Sequence, residues 1–336
     1  MFPGIEGIGV ALGSRTLSND ELAASFPEWD FANLTGKTGV FSRPIALPGE
    51  TALDLGERAC RDLDARGILK ADEVDAVIFC TETPDHPIPP NACVLHDRLK
   101  LNTAVSAFDI TLACSGFTYG LMLARSMILS EASRRVLLVT ADTYSRLIHD
   151  GDRATRALFG DGGAATIISA DAPGLRILDV QTGTAGSQHG RFIVRAGGSR
   201  IPRSEDTRAE YLDRSGNRRS QEHIEMDGLG VLSFFNSTIP GAVRALLAKH
   251  QLTTADVDLY IFHQASMVAL EGIRRGLDAP AEKFVIDMAE TGNLVSASIP
   301  VAISRAQVRG RLAPGQRVVV CGFGVGLSWA TALIQT

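Results

Sequence analysis

Residues 105–130, V-S-A-F-D-I-T-L-A-C-S-G-F-T-Y-G-L-M-L-A-R-S-M-I-L-S, decide the fold. The first six are a short apolar run of the kind that forms a strand buried on both faces. From Gly116 onward Leu121, Met122, Leu123, Met127, Ile128 and Leu129 leave almost no polar face, so the pattern predicts a helix in the middle of the molecule. Working outward, similar runs recur at Val74 to Cys80, Val136 to Thr140, Ala164 to Ser169, Leu259 to Phe262 and Val318 to Cys321. A helical pattern over Thr51 to Arg66 stops at Gly67, a C-cap residue. Strands alternating with helices predict an α/β protein with mostly parallel sheets.

The chain also echoes itself. L-K-A-D-E-V-D-A-V-I-F-C from Leu69 lines up with L-T-T-A-D-V-D-L-Y-I-F-H from Leu252, and F-G-D-G-G-A-A-T from Phe159 with F-G-V-G-L-S-W-A-T from Phe323. Two echoes in the same order predict two related α/β halves. The turn D-A-P-G at 171–174 places the boundary there, giving halves 1–171 and 172–336.

Composition excludes several classes. An apolar fraction of 45% and a net charge of -5 describe an ordinary globular protein without the basic face that nucleic acid requires. No run of 18 apolar residues predicts a membrane span, and the N-terminus does not read as a signal peptide. Five widely spaced cysteines (60, 80, 93, 114 and 321) without a C-x-x-C pair point away from disulfides and zinc and towards the cytoplasm. The seven histidines form no metal-binding spacing. The polar stretch from Thr184 to Glu225, with eight Arg and six acidic residues, is either a solvated excursion or a flap over an active-site entrance.

Three residues stand out chemically. Cys114 sits between a buried strand and the start of the buried helix, where the helix dipole and free backbone N–H groups favour a thiolate. His263 directly follows the strand L-Y-I-F and so emerges at the C-terminal edge of a sheet, where α/β proteins bind ligands. Asn293 occupies the glycine turn T-G-N ahead of a helix, a position equally suited to a cap. A Cys–His–Asn order also occurs in papain-like proteases, but their C-G-S-C-W signature is absent.

A-C-S-G-F, F-G-D-G-G-A-A, H-Q-A-S, G-N-L-V-S-A-S-I-P and G-F-G-V-G-L-S-W together resemble the ketoacyl-ACP synthase III family across nearly the whole chain. The resemblance implies a thiolase-like fold: two pseudo-equivalent α/β halves in an αβαβα layering. It implies decarboxylative condensation of an acyl-CoA starter with malonyl-ACP by a cytoplasmic homodimer. Coenzyme A enters as a thioester substrate, with no tightly bound cofactor. Cys114 then corresponds to the acyl-carrying nucleophile, and His263 and Asn293 to paired donors on the malonyl thioester oxygen. The N–H groups of Cys114 and Val325 correspond to the acyl oxyanion hole. Trp29 and Arg153 match positions that clamp adenine, with Lys37 as the nearest match to a third clamp. Arg274 and Arg275 match a carrier-protein docking pair, and Ile88 and Tyr144 match acyl-pocket positions.

Departures are also visible. Ser266 stands where the family carries an asparagine, and Val268 and Ser233 replace basic docking residues. Ile88 and Tyr144 leave room for a polar or branched starter. Two other functions therefore stay open on sequence: acyl transfer to a hydroxyl or amine without decarboxylation, and a non-catalytic partner subunit.

Overall fold

The computed structural model describes residues 2–336. Nine strands form its framework: β1 (Gly4–Leu12), β2 (Ala76–Cys80), β3 (Ser106–Ile110), β4 (Arg135–Asp142), β5 (Gly162–Ser169), β6 (Arg176–Thr184), β7 (Leu259–Phe262), β8 (Arg317–Gly324) and β9 (Ser328–Gln335). The principal helices are α1 (Ala52–Ala65), α2 (Gly116–Leu129), α3 (Gly228–Lys249), α4 (Met267–Gly276) and α5 (Ser298–Val308). Thr51 caps α1 in a reciprocal box with Asp54, and Gly67 adopts φ 68°, as the stop signal there requires.

Hydrogen bonding strings the strands in the order β7-β8-β9-β6-β1-β5-β4-β2-β3. The order reads outward from the centre in the same sense on both sides, which is the internal repeat expressed as topology. The join between β6 and β1 is the single pair Gly4↔Arg176. On either side of that weak seam, the inner faces of both strand sets pack on the same two helices. Ile78 and Leu138 from one set, and Ile261 and Val320 from the other, share a core with Phe117 and Leu121 of α2 and with Ile299 and Ile303 of α5. Helix α1 covers the opposite face of the first set, and α3 that of the second. Five layers result.

The first echo is a true equivalence. The N–H of Asp75 donates to the Arg135 carbonyl at 2.9 Å, and that of Asp258 to the Arg317 carbonyl at 2.9 Å. Each aspartate side chain then accepts from the N–H of that same arginine, at 2.9 and 2.8 Å. The second echo holds in part: its A-T ends lie in the equivalent strands β5 and β9, but Phe159 precedes β5 whereas Phe323 lies inside β8.

The sheets are less parallel than the sequence predicts. Only β7–β8, β2–β3 and β2–β4 pair in parallel, and the remaining pairs are antiparallel. The three residues Val325–Leu327 between β8 and β9 are too few for a parallel crossover, so that pair must form a hairpin.

At 22 residues, α3 is long and apolar enough to cross a membrane by length and composition. Its Phe235, Ile239, Val243 and Leu246 are instead buried against Tyr260, Phe262 and Val319 of the sheet. It is a core helix.

Candidate active site

Cys114 ends the link between β3 and α2. Close packing fixes its place: a Cβ on Gly116 would fall on the Cys80 sulfur, and one on Gly324 would lie 2.7 Å from Cys114 Cβ and 2.8 Å from its Sγ. Glycine at 324 is thus what lets the β8 end run alongside the thiol.

His263 extends β7 by one residue, its N–H donating to the Cys321 carbonyl at 2.8 Å. The next residue locks this turn. Gln264 is buried, donates to the Phe262 and Val285 carbonyls at 2.7 and 3.2 Å, and accepts from the Asp287 N–H at 2.7 Å. The imidazole stands edge-on to Phe323 with ring centroids 5.6 Å apart. Its Nδ1 has no hydrogen-bond partner among the described residues.

Asn293 is delivered by a turn that needs glycine: Gly292 has φ 60°, and a Cβ there would meet the Leu158 carbonyl oxygen at 2.5 Å. That carbonyl accepts from the Asn293 N–H at 2.9 Å, while the Asn293 carbonyl accepts from Gly160 at 3.0 Å. The side-chain Oδ1 accepts from the Val295 N–H at 2.9 Å. Asn293 is therefore a turn residue and not a cap, since the helix Ser298–Val308 has Ala297 at its N-cap. With Oδ1 engaged, the amide presents Nδ2, whose protein contact, to the Ala265 carbonyl, is long at 3.5 Å.

Cys114, His263 and Asn293 line one cavity of ≈ 390 Å³, together with Gly324, Phe159 and Ser266. Its walls include Phe192 and Met226, which the polar 184–225 stretch and its immediate continuation contribute. That stretch is anchored rather than loose. Phe192 and Ile224 are buried, and Arg219, 4% exposed, pairs with Asp152 and Asp213 at 2.9 Å each. Neither wall residue was legible in sequence, since both sit in a segment dominated by charge.

Electrostatics correct the expected thiolate. Burial pushes the Cys114 thiol well above its ordinary pKa, and Glu82 and Asp142 push it further. The N–H groups of Val325 and Cys114 oppose this without offsetting it. Burial of the whole side chain outweighs a helix end because desolvation acts on the full charge and the dipole on half of one. Alkylation of Cys114 by iodoacetamide, followed by peptide mass, should therefore climb about tenfold per pH unit from roughly pH 6 to 9. A plateau below about pH 8 would show that the helix start wins instead.

Burial lowers the His263 pKa to about 3, so the ring is neutral and offers one N–H. The sign of the linkage follows. An unfolded chain takes up this proton below 6.5 while the folded one refuses it, so His263 costs stability as the pH falls from 6.5 towards 3.

The remaining candidates divide. Lys37, on the helix Phe31–Thr38, lines the cavity. Trp29 and Arg153 do not: Trp29 stacks on Phe26 at 4.1 Å, and Arg153 donates to the Ser215 carbonyl at 3.2 Å. Ser266 lines the cavity and caps α4 by accepting from the Ala269 N–H at 3.3 Å. Serine and asparagine cap helices equally well, which explains how the change is tolerated. Arg274 is tied to Glu271 at 2.8 Å and to the Ala279 carbonyl at 2.8 Å, whereas the Arg275 side chain is 78% exposed. Tyr144 is buried beside Phe159, and Ile88 is 84% exposed. No metal-holding group of His, Cys, Asp or Glu exists among the described residues.

A buried cysteine at a helix start thus shares a cavity with an imidazole and an amide, in a fold of five αβαβα layers. The comparisons narrow this. Residues 108–186 match the 3-oxoacyl-[acyl-carrier-protein] synthase III model, and residues 247–336 match that family's C-terminal model. The β-ketoacyl-[acyl-carrier-protein] synthase III of Campylobacter curvus is 35% identical over 94% of this chain and 90% of its own. A 3-oxoacyl-(acyl-carrier-protein) synthase III crystal structure is 40% identical, covers 100% of both chains and gives a TM-score of 0.97. The Pseudomonas aeruginosa PAO1 enzyme is 32% identical with a TM-score of 0.84, covering 100% of this chain and 98% of that one. The chain belongs to the 3-oxoacyl-[acyl-carrier-protein] synthase III family and is an acyltransferase of the condensing type.

Proposed function

We propose that the chain condenses an acyl-CoA starter with malonyl-ACP through an acyl-Cys114 intermediate. The observation that carries this is the shared cavity of Cys114, His263 and Asn293. In the first half-reaction the Cys114 sulfur attacks the starter thioester and coenzyme A leaves as the thiol, carrying the proton. The N–H groups of Cys114 and Val325 hold the oxyanion. In the second, malonyl-ACP loses carbon dioxide, and His263 and Asn293 Nδ2 donate to the enolate oxygen as it forms. The enolate carbon attacks the acyl carbonyl, the carbon–sulfur bond to Cys114 breaks, and the thiolate takes a proton. A neutral His263 suits this role, since it donates without first having to be charged. Lys37 at the cavity wall and Arg275 on α4 are the cations best placed for the coenzyme A phosphates and for an acidic carrier protein.

The test is stoichiometric. Acyl-CoA and carboxyl-labelled malonyl-ACP should release one labelled carbon dioxide per 3-oxoacyl product. Acyl transfer without carbon dioxide would sink the reading in favour of transfer to another acceptor.

We also propose that two copies pair. The edge strand β3 has a neighbour only in β2, its Ala107, Phe108 and Ile110 are half-buried, and Ile88, ahead of the helix Asn91–Arg98 that leads to it, is exposed. A monomer mass by light scattering would dismiss this.

A further inference from the structure

A second cavity, ≈ 570 Å³, adjoins the first through Phe192 and is lined by Glu82, Thr111, Tyr144, Leu147, Ile224 and Val325, among others. Val325 carries the N–H that acts on the Cys114 thiol, and Phe192 is a wall of both cavities. This space is therefore where an acyl chain on Cys114 can extend away from His263 and Asn293. Most of its lining is apolar, as a chain pocket requires. Glu82 is the one acidic group in it. It stands two residues beyond β2, at the place Ala265 takes beyond β7 in the repeat, so a carboxyl occupies a position filled by a methyl in the other half.

The Glu82 side chain makes one hydrogen bond among the described residues, accepted from the Tyr144 hydroxyl. Its neighbour Asp142 accepts from the Glu82 N–H at 2.9 Å and from Ser296 beyond, and among the described residues no cation pairs with either Glu82 or Asp142. Burial raises the Glu82 pKa, favouring the neutral acid. An alkyl chain packed here would strip water from the second carboxyl oxygen and return nothing. A hydroxyl answers the need in either protonation state, accepting from the acid or donating to the carboxylate.

Resting on the condensing function above, we propose that this cavity holds the starter chain and that Glu82, positioned by Tyr144, selects a starter bearing a hydroxyl group. Arg203 also lines the cavity, but it lies within 3.6 Å of Glu222 and is largely exposed, so a carboxylated starter is the weaker fit.

The experiment measures acylation of Cys114, by intact mass and by rate, with butyryl-, 3-hydroxybutyryl-, 4-hydroxybutyryl- and succinyl-CoA. One hydroxylated chain should acylate about ten- to a hundredfold faster than butyryl-CoA, the range that one unmatched buried acceptor supplies. Glu82→Leu should invert that preference and Glu82→Gln should keep part of it. Butyryl- or succinyl-CoA leading in the unaltered enzyme overturns the proposal, whether or not the variants fold. No adduct with any of the four would overturn the acyl-Cys114 mechanism itself, whereas adducts formed without a hydroxyl preference overturn only this inference.

Discussion

Replacing Cys114 with alanine should abolish the acyl-enzyme and lower condensation by at least about 10⁴-fold, in line with the loss when other enzymes lose a covalent nucleophile. The expected failure is specific. The cavity around His263 and Asn293 is untouched, so malonyl-ACP should still lose carbon dioxide slowly, now uncoupled from any condensation. The smaller side chain also removes the sulfur that packs closely along Gly324, so the fold should tolerate it. Intact mass after incubation with acyl-CoA, and labelled carbon dioxide release, read the two half-reactions separately. Condensation within tenfold of normal in Cys114→Ala would end the covalent mechanism.

His263→Ala and Asn293→Ala should show the opposite split. Each removes one donor to the enolate oxygen and should slow condensation by about 100- to 1000-fold. Acylation of Cys114 should stay within a few-fold, because neither side chain is assigned to the first half-reaction. The pair should be strongly non-additive, since the donors act on one oxygen. Asn293→Ala also leaves the Val295 N–H without its acceptor and should cost about 1 kcal/mol of stability, which a thermal melt would show. Equal losses in acylation and condensation would mean that the mutations disturb the cavity as a whole. The neutral state of His263 adds a pH criterion: the rate of the second half-reaction should show no ionisation near 6.5, because burial has moved that proton to about pH 3.

These expectations differ in origin. Cys114, His263 and Asn293 were legible because each stands at the end of a recognisable element: a buried helix start, a strand end and a glycine turn. The Leu69–Cys80 and Leu252–His263 echo was legible for a related reason, since one hydrophobic register and one aspartate bracket recur in both copies. Other contacts were not legible: Trp29 stacks on Phe26 and Arg153 donates to the Ser215 carbonyl, neither of which a local pattern encodes. Glu82 went unnoticed although it stands two residues beyond the C-terminal end of β2, the end of a strand where ligands bind; the T-E-T segment reads as an ordinary turn until Tyr144 is seen to meet it.

By itself, the sequence determined the α/β class, the buried central helix, the repeat and the three residues of the catalytic proposal, because periodicity and turn chemistry are local properties. Tertiary structure alone decided the mixed sheet, the walls given by Phe192 and Met226, the burial that raises the Cys114 pKa and the meeting of Glu82 with Tyr144. Those depend on burial and on which distant groups share a cavity. Desolvation is set by everything that packs around a group, and no stretch of chain carries that information alone.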